Sequence, residues 1–68
     1  MPGSTVMLVR ARNGQAYYVE AGVLKAAAMA LAFEAGQAPR LRADVAATQA
    51  LEYLLARQPL NPSIRKAV

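Results

Sequence analysis

Asp44 and Glu52 are the residues of this chain whose type and spacing come nearest to catalysis. Eight positions apart on a helix, they share one face two turns from each other. Paired carboxylates serve glycoside chemistry when they flank a cleft and one member is desolvated. A single helix face on a chain of 68 residues provides neither. The plainer expectation is a solvated polar stripe of Asp44, Thr48 and Glu52. The only other carboxylates are Glu20 and Glu34, and the chain has no Cys and no His. Ser–His and Cys–His nucleophile pairs therefore cannot be built. Disulfides and thiolate zinc sites are excluded with them, and so are the common His-containing metal sites. No Gly-rich segment is followed by the Lys-Ser or Lys-Thr pair of a phosphate loop. The sequence predicts no enzyme, no cofactor and no metal.

Arg10, Arg12, Asn13, Gln15 and Tyr17 form a second constellation. Gathered at the tip of a β-ribbon, they could enter a nucleic-acid groove, with arginine on phosphates or guanine edges. They could also dock on an acidic protein surface, or form a solvated tip in which Arg10 stacks on Tyr17 across the strands. The formal charge of +4 and pI near 10.1 suit nucleic acid, anionic membrane or an acidic partner. Six of the eight cations are Arg, dispersed rather than run together, so no basic tail is formed.

The elements that must position these residues are legible from pattern. Thr5 to Ala11 and Gln15 to Ala21 are two β-prone runs around Asn13-Gly14, a strong short-range signal for a hairpin over 5–21. A two-residue type I′ turn there would set Arg12 opposite Gln15, Arg10 opposite Tyr17, Leu8 opposite Val19 and Val6 opposite Ala21. These eight side chains would share one face, apolar at its base and basic at its tip. Met7, Val9 and Ala11 would lie on the other face with Ala16, Tyr18 and Glu20. An isolated hairpin is marginal in water and needs cover.

A first helix is predicted over 22–36, with Gly36 where a left-handed C-cap belongs. It is apolar nearly all round, which calls for burial on most sides. Leu24, Ala28, Leu31 and Ala35 form one stripe, while Met29 and Phe33 form another. A second helix is predicted over 40–57, with Pro39 near its start and Gln58-Pro59 stopping it. Ala47, Ala50, Leu51, Leu54 and Leu55 form its apolar side. Asn61-Pro62 is read as capping a last short turn over 62–66. The Ala32 to Gly36 spacing fits a helix-turn-helix. However, that alignment turns Arg42 inward and puts Pro39 in the connection, so a plain αα-hairpin is the better reading.

The expected fold is α+β: a single ββαα domain over 1–68, with an N-terminal β-hairpin turning at Asn13-Gly14 and then two α-helices. Sixteen residues are Ala, which favours helix but buries little area. A core of this size supplies about 3–5 kcal/mol, and small chains without disulfides or metal often add a partner subunit. Two helices can cover only one face of a ribbon, which leaves apolar surface over.

The expected role is therefore non-enzymatic protein–protein interaction, by oligomerisation or by docking on a larger partner as inhibitor, adaptor or small structural subunit. Partners are a second copy, in a homodimer or higher assembly, or a larger protein with an acidic-rimmed apolar surface. The candidate partner-binding residues are Val6, Leu8, Arg10, Arg12, Tyr17, Val19, Met29 and Phe33. The alternative is a nucleic-acid-binding regulator using Arg10, Arg12, Arg40 and Arg42. Alanine- and arginine-rich, lysine-poor composition fits a GC-rich bacterial or phage source. Met1 to Met7 lacks a cationic segment followed by an apolar core. The longest apolar stretch, Ala26 to Phe33, is far below the ~20 residues of a membrane span, so a cytoplasmic chain is expected.

Overall fold

A computed structural model describes residues 5–36 and 43–68, without the side chains of Ala43, Asp44 and Val45. The expected start of the second helix, with Pro39, Arg40 and Arg42, lies outside the described residues. In chain order the elements are β1 (Val6–Arg10), β2 (Ala16–Glu20), α1 (Ala21–Glu34), α2 (Ala43–Arg57) and β3 (Ile64–Lys66). The fold is α+β, an N-terminal hairpin followed by two helices, completed by a third strand. The sheet is antiparallel in the order β1-β2-β3, which makes β2 central.

The hairpin forms where the β-prone runs predict it, but its turn and register differ from the expectation. The Ala11 N–H donates to the Gln15 carbonyl at 2.8 Å, and the Gly14 N–H donates to the Ala11 carbonyl at 3.0 Å. Arg12, Asn13 and Gly14 thus make a three-residue loop. Gly14 alone in this loop has positive φ, at 91°, whereas a type I′ turn needs it at Asn13 as well. The arrangement is a type I turn followed by a left-handed glycine in a bulge. The Asn13 side-chain oxygen supports it by accepting the Gln15 N–H at 2.9 Å. One extra loop residue shifts the pairing by one. Leu8 lies opposite Tyr18, Val9 opposite Tyr17 and Met7 opposite Val19. A shift of one moves every side chain of one strand to the other face relative to its partner.

The face of Met7, Val9, Ala11, Tyr17 and Val19 receives both helices. Among the described residues the core consists of Val9, Ala11 and Val19 from the hairpin, Leu24 and Ala27 from α1, and Ala50, Leu51 and Leu54 from α2. Val19 and Leu51 are fully buried. Three of these eight side chains are Ala, so the core is thin for its residue count. Truncating Leu51 to Ala would remove about 2–5 kcal/mol, comparable to the stability available to a chain this small.

α1 follows β2 without a loop and ends as expected: Gly36 takes φ 67°, and its N–H donates to the Phe33 carbonyl at 3.0 Å. The expected burial on most sides is not met. α1 buries Leu24 and Ala27, while Met29 is 53% exposed and Phe33 86%. The C-terminal segment departs from the expected short turn. The Asn61 side chain accepts the Ser63 N–H at 2.9 Å, turning the chain so that Ile64–Lys66 pairs with β2.

Candidate interaction surface

With both helices on one face of the sheet, the opposite face carries every second residue of each strand. β1 presents Val6, Leu8 and Arg10, β2 presents Ala16, Tyr18 and Glu20, and β3 presents Arg65. Strand pairing sets Leu8, Tyr18 and Arg65 in one row across the sheet. In the row toward the turn Arg10 pairs with Ala16, and in the row away from it Val6 pairs with Glu20. Val6 is 48% exposed, Leu8 61% and Tyr18 44%. An apolar centre is thus flanked by a guanidinium on each edge strand, Arg10 on β1 and Arg65 on β3. The Arg10 guanidinium donates to the Gly14 carbonyl at 2.6 Å, which holds it at the turn without neutralising it.

Glu20, Glu34 and Glu52 each already accept a hydrogen bond within the chain. Glu20 accepts the Ser63 hydroxyl at 2.7 Å. Glu34 accepts the Tyr53 hydroxyl at 2.8 Å and pairs with Arg57 at 3.2 Å, and the Arg57 guanidinium stacks 4.0 Å from the Tyr53 ring centroid. This ion pair ties the end of α1 to α2. The hydrogen bond to Glu34, followed by burial and the Glu34 charge, raises the Tyr53 pKa, while Arg57 opposes the shift. Glu52 accepts the Arg12 backbone N–H at 2.9 Å, and the Thr48 hydroxyl donates to the Arg10 carbonyl at 3.0 Å. Thr48 and Glu52 of the polar stripe thus clasp the hairpin turn. The side chain of Asp44 lies outside the described residues. No group of three or more metal-ligating side chains occurs among the described residues.

Of the eight candidate partner-binding residues, the structure brings Val6, Leu8 and Arg10 together on the open face. Arg12 sits exposed in the loop. Val19 and Tyr17 stand on the covered face, Val19 within the core and Tyr17 packed against it. The shifted register also separates Arg10 from Tyr17, so the expected stacking between them does not form. Met29 and Phe33 are exposed on the helical layer, with the sheet between them and the open face. Arg40 and Arg42 lie outside the described residues. Tyr18 and Arg65 belong to the open face without having been candidates. The turn length decides Tyr18, and pairing of the C-terminal segment decides Arg65.

Among the described residues no helix is long and apolar enough to cross a membrane. Comparison with protein-family models, with curated proteins and with solved structures finds no match for this chain.

Proposed function

We propose that this chain acts without catalysis, by protein–protein interaction, either self-associating or docking on a larger partner as an inhibitor, adaptor or small subunit. One observation carries the reading: Val6, Leu8 and Tyr18 form a contiguous apolar centre on a sheet face that neither helix covers. Contiguous exposed apolar patches rimmed by polar groups mark interaction sites on soluble domains. These side chains lie outside the core, which is on the other face. A cytoplasmic setting belongs to the same proposal and rests on the sequence pattern.

The test is a photo-crosslinking residue placed at position 8 in the expressing cell, with position 56, exposed on α2, as control. A discrete protein adduct from position 8 and none from position 56 is expected. No adduct from position 8, or adducts with nucleic acid alone, would overturn the reading.

A further inference from the structure

We infer that the open sheet face accepts an acidic amphipathic helix of a partner protein, with the helix's apolar stripe on Val6, Leu8 and Tyr18 and carboxylates at its borders on Arg10 and Arg65. The inference rests on the protein-interaction reading above and specifies the occupant. Charge complementarity selects it. The face presents two guanidiniums and one carboxylate, Glu20, which already accepts the Ser63 hydroxyl. The chain as a whole carries +4.

A second copy is disfavoured on the same ground. Face-to-face packing would bring four guanidiniums and only two carboxylates into one interface, and an excess of like charge is costly to desolvate. Dimensions agree with a helix. Arg10 and Arg65 lie on the two edge strands of a three-stranded sheet, hence about 10 Å apart across the strands. A helix is about 10–12 Å wide with its side chains. Carboxylates on both sides of its apolar stripe would then reach both cations. Nucleic acid fits less well. Single-strand binding relies on successive aromatic platforms, and here Tyr18 is the one aromatic on the open face, beside aliphatic Val6 and Leu8.

The probes are two helix-stapled peptides with the same leucine stripe, one bordered by Glu and the other by Lys. Binding is followed by amide chemical shifts and titration. The Glu peptide is expected to bind the wild-type protein and to shift the amides of Val6, Leu8, Tyr18 and Arg65. The double variant Arg10→Glu with Arg65→Glu should lose at least ~10-fold in affinity for it and gain affinity for the Lys peptide. This exchange of preference cannot come from an unfolded variant. Equal binding of both peptides to wild type, or shifts confined to α1 around Met29 and Phe33, would overturn the acidic-helix proposal. So would self-association through the open face that Leu8→Asp abolishes, but that result would leave the interaction reading standing. Tighter binding of a single-stranded oligonucleotide, competing with the peptide, would overturn both.

Discussion

The Glu52 carboxylate accepts the Arg12 backbone N–H at 2.9 Å, across 40 residues of sequence. Together with the Thr48 hydroxyl on the Arg10 carbonyl, it fastens the hairpin turn to the middle of α2. The loop holds its position by this clasp as well as by its own hydrogen bonds. The open face is therefore presented by a hairpin anchored at its tip.

Removing the clasp should loosen the turn before it unfolds the chain. Glu52→Ala is expected to cost about 1–2 kcal/mol, in the range for a charge-assisted hydrogen bond lost from a partly exposed site. Glu52→Gln, which keeps an acceptor oxygen, should cost less than half of that. Hydrogen exchange at the Arg12 amide is the direct readout and should quicken markedly in Glu52→Ala. Unchanged exchange there would show that the clasp does not form.

The turn type makes its own prediction. Gly14 occupies the left-handed region at φ 91° and Asn13 does not. Gly14→Ala should therefore cost about 1–2 kcal/mol. Asn13→Asp retains the oxygen that accepts the Gln15 N–H and should stay within about 0.5 kcal/mol of wild type. Urea melts of the two variants decide the matter. A cost at Gly14→Ala no larger than at Asn13→Asp would contradict the left-handed Gly14.

Tyr53 offers a titration test of the contact between the helices. Its hydroxyl donates to Glu34, which raises its pKa above the usual 10.0. A group with a raised folded-state pKa contributes stability fully below its unfolded pKa and loses it as pH rises through the folded value. The contact should thus hold up to about pH 10.0 and weaken above it as the phenolate forms. Difference absorbance between wild type and Tyr53→Phe should place the Tyr53 transition above 10.0. Glu34→Gln should bring it down. A Tyr53 transition indifferent to Glu34 would contradict the bond.

Hairpin, helices and the Gly36 cap were legible in the sequence because each rests on local rules: β-branched runs, apolar periodicity, and a glycine free to take positive φ. Register was not. Asn-Gly serves a two-residue turn and also the end of a three-residue loop, and both strands carry apolar residues on both faces. Alternation therefore could not say which face the helices cover. That ambiguity misplaced Val19 and Tyr17 and hid Tyr18. β3 was illegible for another reason. Its three residues carry no periodicity, and only pairing with the distant β2 makes them a strand. Arg65 was missed with it. The apolar excess itself was legible, since two helices can cover one side of a sheet and no more.

The central claim is that the open face serves a partner while the opposite face holds the fold together. Paired urea melts of Leu8→Asp and Val19→Asp test it most directly. Leu8 is 61% exposed beside Tyr18, and Val19 is fully buried. Leu8→Asp should remain folded within about 0.5 kcal/mol of wild type. Val19→Asp, burying an unpaired carboxylate, should lose more than the ~3–5 kcal/mol a domain of this size has to lose and should not fold. Equal damage from the two substitutions would place Leu8 in the core with Val19 and contradict the account.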